Sequence, residues 1–428
     1  MPQDDAFGNL QKDAIAPVGI LSSRWSQLLL SIICMMAIAS PQYVWALFTT
    51  PLLARFGVSL AVLQVTFTLL VVIQTFFSPL QGFLVDRFGA RSLLSIGTMI
   101  TGLSWVLSAA ADNVYELYLG YGLLGGLGTG IVYVGVIGHI ARWFPDKRGF
   151  ALGMVAAGYG FGAVLTTFPI SSSLGYLGYT RTLTIFGLIL GAIGFISAQG
   201  IRKPEGSATS EVLPEPVGIG LTPKEMLRKP IFWIMFVMMA MMSTSGLMVI
   251  SQMGAFAQDF GVSGALVFGV AALPLALTID RITNGLTRPF FGWLSDVGGR
   301  ENIMAVAFGM EALAMIAWLY MRHDPLLFVL LSGVVFFGWG EIFSLFPSTL
   351  TDTFGTRHAT TNYGCLYLSQ GIGSVVGGPV AALIYTAYAS WVPVFLTMIF
   401  LDALAALMAL FVLKKYRTRY LHAMRGQA

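Results

Sequence analysis

Charge is scarce in this sequence, and the scarcity is the first constraint on it. Only 10% of the 428 residues are Asp, Glu, Lys or Arg, against about 25% in a soluble domain whose outside faces water. Cysteine is nearly absent. Cys34 and Cys365 both sit in apolar runs, which excludes a disulfide framework and a cysteine-built metal site. His139, His323, His358 and His422 are scattered, so no metal or other cofactor is expected. The spans contain no convergent His/Asp/Ser set that would suggest a membrane enzyme. Ten-residue alternations of apolar and polar residues are missing, which excludes a membrane β-barrel. The formal charge of +4 is spread over loops and implies no nucleic-acid partner. The first 25 residues are polar and mixed in charge, so no cleavable leader is expected.

What the sequence has is apolar length. Hydrophobic residues make up 56% of the chain, and mean hydropathy is +0.78. In lipid every backbone polar group must be satisfied within the segment, so long continuous apolar runs become helices. Twelve runs are expected to span, at 26–48, 60–83, 92–111, 115–140, 150–170, 181–201, 231–256, 265–291, 302–321, 325–349, 359–386 and 391–413. The polar stretch 202–230 divides them six and six. The expected organisation is a terminal segment 1–25, a six-helix bundle 26–201, the linker, a second bundle 231–413 and a tail 414–428. Nineteen Lys and Arg fall on the side that holds both termini and the linker, and three fall on the other. That bias predicts cytoplasmic termini in a multi-pass protein of the cell membrane, with the monomer as working unit.

A repeat underlies the halves. Moving the sequence by about 210 positions lays Ser78-Pro79 on Arg288-Pro289, Gly82 on Gly292, Asp86 on Asp296 and Phe144 on Phe354. One offset serving separate loops implies two homologous halves related by an axis along the membrane normal. The glycines of 125–130 and 158–162 lie inside apolar runs and follow no strand, so they suit close helix packing and not phosphate binding.

The stretch Gly82-Phe83-Leu84-Val85-Asp86-Arg87-Phe88-Gly89-Ala90-Arg91 resembles the loop 2–3 signature of the major facilitator superfamily, and 292–300 is a weaker second copy. The resemblance implies a cytoplasmic gate in which Asp86, Arg87, Arg91, Asp296 and Arg300 pair across helix ends. Ala141-Arg142-Trp143-Phe144-Pro145-Asp146-Lys147-Arg148-Gly149, Gln42-Tyr43, Leu345-Phe346-Pro347-Ser348 and Asn362-Tyr363-Gly364 resemble the bacterial oxalate/formate antiporters, a group akin to the monocarboxylate transporters.

Charges inside the runs point to function, because each costs about 2.5–3.5 kcal/mol at a helix centre. Arg281 and Arg288 are seven residues apart and return to one helix face within about 20°, with Asn284 beside them. The resemblance implies that Arg288, followed by Pro289, binds a substrate carboxylate. A guanidinium fork fits a carboxylate and stays charged at any pH. The competing reading is an ion pair with Glu341 or Asp280. Arg281 stays open between structure and function. The resemblance also places Gln42, Tyr43, Tyr133, Tyr159 and Trp339 in the pocket, with Phe343 where the family has Tyr and Tyr367 where it has Trp. It has a Lys in the segment where this chain has Gln370, which disfavours a dianion such as oxalate. Glu341 either carries a proton or pairs with Arg281, while Glu311 and Asp402 read as structural. The expected function is alternating-access transport of a small carboxylate, by antiport or by symport with protons. A carboxylate-sensing receptor is the alternative from another class.

Overall fold

The computed structural model describes residues 23–204 and 220–425. The expectations for Lys12, for most of 1–25 and for the middle of the linker lie outside these residues.

The chain is helical almost throughout. The first run is broken at Val44 and continues past its expected end, as α1 Arg24–Tyr43 and α2 Trp45–Phe56, closing on Gly57 in a left-handed turn (φ 61). Next come α3 Leu60–Phe76 and α4 Ser78–Phe88, set 52° apart at Phe77, just before Pro79. They are followed by α5 Ala90–Ala109, α6 Val114–Trp143 and the 52-residue α7 Arg148–Gln199. The short α8 Pro223–Leu227 precedes α9 Pro230–Asp259. The remaining helices are α10 Ala272–Gly298, α11 Arg300–Tyr320, α12 Pro325–Phe354, α13 Ala359–Tyr388 and α14 Val392–Met424.

Helix α7 is not one rod. Ser173 Oγ and Thr182 Oγ1 are 2.9 Å apart, whereas nine helical residues would separate them by about 13 Å. The reversal is at Gly178, whose φ of 74° and ψ of 171° lie outside the helical region. The chain therefore turns back within α7, as the separate runs 150–170 and 181–201 anticipate.

One boundary is corrected. Residues 265–271 do not begin the eighth helix. Leu266–Val267 and Val270–Ala271 pair as a two-stranded hairpin, and the helix starts at Ala272. Phe268 and Gly269 both have positive φ (50° and 81°), the geometry of a tight two-residue hairpin turn. Apolar content alone cannot tell such a short hairpin from a helix start.

Among the described residues, nine helices are long and apolar enough to cross a membrane, or ten if α3 and α4 count as one bent span. Helix α10 has the length but carries Asp280, Arg281, Arg288 and Asp296. Side chains such as Leu188, Leu313 and Phe400 are more than 60% exposed, which suits a surface that meets lipid. The protein is a multi-pass, all-α membrane protein.

Two seams join the stretch before residue 204 to the stretch after 220. At one, the start of α7 packs on α10; at the other, α13 packs on α3 and α4. A Cβ on Gly153 would meet Pro289 Cα at 2.7 Å, and one on Gly364 would meet Pro79 Cα at 3.0 Å. Likewise Gly292 abuts the Gly149 backbone, and Gly82 abuts the Thr360 carbonyl. These contacts pair off, to within a residue, under the offset that relates Ser78-Pro79 to Arg288-Pro289. A side chain at either glycine would hold the helices apart. Gly82→Val and Gly292→Val are therefore expected to cut transport at least about tenfold while leaving membrane insertion unchanged. Uptake and monodispersity at matched expression measure this, and normal uptake by both variants contradicts the seam assignment.

Candidate functional site

Arg288 lies in the middle of α10 and is 3% exposed. Its guanidinium Nη1 donates to the Ala156 carbonyl of α7 at 2.6 Å, and Nη2 donates to Asn284 Oδ1 at 2.8 Å. The Phe343 ring lies 4.6 Å from the guanidinium carbon, a cation–π arrangement. Two buried donors here have no partner among the described residues, Arg288 Nε and Asn284 Nδ2. Among the described residues Arg288 makes no ion pair. Pairing with Asp280 or Glu341 is thus not what holds it.

The backbone sets this geometry. Gly153 lets α7 approach the Arg288 carbonyl, and Gly340 lets α12 approach the Asn284 carbonyl, where a Cβ would sit at 2.6 Å. With α7 so close, Ala156 one turn below α7's Tyr159 can accept from the guanidinium.

Aromatic rings wall one side. Tyr43 and Tyr159 have centroids 5.4 Å apart, Tyr159 and Tyr133 5.3 Å, and Tyr133 stacks on Tyr367 at 5.0 Å. Tyr363 adds to the row at 5.6 Å from Tyr367. The Tyr159 hydroxyl donates to Gln42 Oε1 at 2.6 Å and accepts from Gln74 Nε2 at 3.4 Å. Trp339 lies against Gly246, donates its indole N–H to the Met242 carbonyl at 2.8 Å, and meets Phe343 edge-on at 5.8 Å. Gln370 is one turn beyond Tyr367 and half-buried, and its Oε1 has no partner.

Two site residues were not singled out from sequence. Tyr363 stood there only as part of a family-like stretch, although its i,i+4 spacing to Tyr367 puts both on one face. Gln74, a lone amide in an apolar run, gave no signal beyond its polarity.

Arg281 departs from the expected shared face. It is exposed, whereas Asn284 and Arg288 converge. Exposure also separates Arg281 from the fully buried Glu341, so the two are not paired. A helical wheel fixes direction and not depth, and the seam leaves Arg281 outside the packed region. Asp280 is buried, 4% exposed.

At the end carrying the basic loops the two stretches are latched. Asp86 pairs with Arg142 and accepts from the Thr361 backbone N–H at 2.9 Å. Asp296 accepts from the Gly149 and Phe150 backbone N–H groups, both at 2.9 Å, and pairs with Arg300 at 2.7 Å. Each carboxylate thus caps the start of a helix from the other stretch, where N–H groups are unpaired and the helix dipole is positive. Asp352 links Arg300 to Arg148. Arg87 and Arg91 do not take part in the latch. Arg87 is exposed against the Phe83 and Phe88 rings, and Arg91 is exposed and reaches Gln199. Arg142, Arg148 and Asp352 stand in their place. A loop motif names charges but not which of them turn inward.

A multi-pass helical protein whose two stretches latch at one end over a buried, unpaired cation has the build of a solute carrier. A profile of the Major Facilitator Superfamily matches residues 27–281 and 239–425. The chain is 36% identical over 403 residues to the oxalate:formate antiporter of Oxalobacter formigenes, covering 93% of each. It is 29% identical over 364 residues to an uncharacterised transporter of this type from Escherichia coli, covering 84% of this chain and 88% of that one. The structure of the Escherichia coli fucose:proton symporter superposes with a TM-score of 0.68 over 91% of this chain and 98% of that one, at 14% identity, a likeness of fold. The chain belongs to the major facilitator superfamily, so it is a membrane transporter of small solutes and not an enzyme.

Arg288→Lys tests the site. A point charge cannot keep two donors in place and offer a third, and one lost charge-assisted hydrogen bond is worth about ten- to a hundredfold. Uptake should fall by that factor at unchanged expression and folding, and normal uptake removes Arg288 from the site.

Proposed function

We propose that this protein moves small carboxylate anions across the cell membrane by alternating access, exchanging one for another about a seat at Arg288. The observation that carries the reading is the buried guanidinium, which among the described residues has no counter-ion, with Arg288 Nε and Asn284 Nδ2 unpartnered there. A cation held away from water in this way is costly until an anion arrives. The ring wall of Tyr43, Tyr159, Tyr133 and Tyr367 lowers the local dielectric and strengthens that attraction. The name of the Oxalobacter relative, an oxalate:formate antiporter, supports the substrate class.

Twelve spans in two six-helix halves belong to the same reading. The ten spans by length and apolarity gain one because α7 doubles back and one for the charged α10. The latch end is proposed to face the cytoplasm with both termini, following the Lys and Arg bias. The state described is then closed inward, and Asp86, Asp296 and Asp352 must part for the site to open to the cell.

Charge count sets the substrate. One guanidinium and the neutral Gln370 match a monoanion, and a second carboxylate buried without a partner costs several kcal/mol. The wild type is therefore expected to prefer formate, acetate or lactate over oxalate, with Gln370→Lys shifting preference toward the dianion. Competition of unlabelled mono- and dicarboxylates against a labelled one, wild type and variant side by side, measures the shift. Tighter binding of oxalate than of every monoanion by the wild type contradicts the charge argument.

A further inference from the structure

Behind the arginine site lies a second ionisable group of residues that anion binding does not use. Glu311 of α11, Glu341 at the break between the two parts of α12 and Asp402 of α14 are all 0% exposed. Glu311 packs on Gly338, where a Cβ would sit 2.8 Å from its own, one turn from Glu341. Helix α11, which carries Glu311, packs on both α12 and α14, which carry Glu341 and Asp402.

Their partners are few. Ser245 of α9 donates to Asp402 Oδ2 at 3.0 Å. Among the described residues neither oxygen of Glu311, neither of Glu341, nor Asp402 Oδ1 has a hydrogen-bond partner, and none of the three residues makes an ion pair. Glu341 follows Gly340, which abuts the Asn284 carbonyl of α10 one turn before Arg288. No group of three or more His, Cys, Asp or Glu among the described residues is arranged to hold a metal ion. Three buried carboxylates without a counter-ion cannot all be ionised, because each would cost far more than folding supplies. The small cation that can neutralise them without coordination geometry is the proton.

Resting on the carboxylate reading above, we propose that Glu341, backed by Glu311 and Asp402, is a proton-carrying site that couples proton movement to carboxylate movement. Glu341 is the member beside the α12–α10 contact at Gly340, next to the residues that hold Arg288. A substrate anion on Arg288 cancels the positive charge beside this contact, so the anion and a proton on a Glu341 oxygen favour each other. One proton joins the carboxylate on the side where the anion enters and leaves it on the side where the anion leaves. The pair crosses with no net charge.

The test uses the purified full chain in proteoliposomes holding a pH-indicator dye, with labelled formate and labelled lactate as probes. For the wild type, an alkaline interior should speed net uptake about tenfold or more, and the dye should report protons entering with the substrate. Glu341→Gln should lose that acceleration and keep formate–formate exchange within about threefold. Glu311→Gln should blunt the acceleration in the same direction. Exchange by the wild type that ignores the pH gradient and moves no proton overturns the proposal and leaves the carboxylate reading standing. So does a Glu341→Gln variant that responds to the gradient as the wild type does. Absence of both exchange and uptake of every carboxylate tried overturns the carboxylate reading and this proposal with it. If Glu341→Gln fails to fold, the wild-type dye signal and Glu311→Gln still decide.

Discussion

A guanidinium taken to the depth of a bilayer needs either a buried carboxylate or a reason to remain without one. Among the described residues Arg288 has no ion-pair partner. A backbone carbonyl, an amide oxygen and an aromatic face hold it instead. These neighbours orient the fork and reduce its desolvation cost, but they do not neutralise it. The remaining charge is what a substrate anion supplies in the proposed function. Much of the surrounding structure follows from this need. Gly153 and Gly340 bring α7 and α12 close enough to supply the carbonyl and fix Asn284, and the tyrosine row walls one side.

The same seams that build the site connect it to the latch. Gly153 meets Arg288 and Pro289, and one turn away Gly149 meets Gly292 while its N–H is capped by Asp296. Opening the latch therefore moves the strip of α7 that carries the Ala156 carbonyl. The site cannot keep its present geometry once that end opens, which is what alternating access requires of a binding site. The mirrored seam at Gly82, Gly364 and Asp86 puts the same constraint on α4 and α13.

Much of this was legible in the sequence. Lipid leaves apolar runs no choice but helix, so the helices came from composition, and the offset that lays Ser78-Pro79 on Arg288-Pro289 also relates the two seams, although it did not announce them. Arg288 and Asn284 were visible because a polar residue in a span needs a reason, whereas Tyr133, Tyr159 and Tyr367 came only from the family resemblance, since an aromatic ring in a span is by itself ordinary packing. What stayed hidden depended on depth and direction. Arg281 shares the wheel position of Arg288 yet is exposed, and Arg87 turns out from the latch while Arg142 turns in. Glu311 and Asp402 looked like separate structural residues, because only the packing of α11, α12 and α14 brings them to Glu341. The hairpin at 266–271 escaped notice because two-residue strands leave no periodicity.

The central claim is that a lone buried cation selects a carboxylate, and the most direct measurement removes the charge from the ligand and not from the protein. Acetate and acetamide have nearly the same shape and differ in charge. Proteoliposomes loaded with one or the other, and offered labelled acetate outside, report whether the internal solute drives counterflow. Acetate inside should accelerate entry of the label by at least about tenfold, and acetamide should not accelerate it at all. Equal acceleration by the amide would show that shape and not charge is read, and would contradict the role assigned to Arg288.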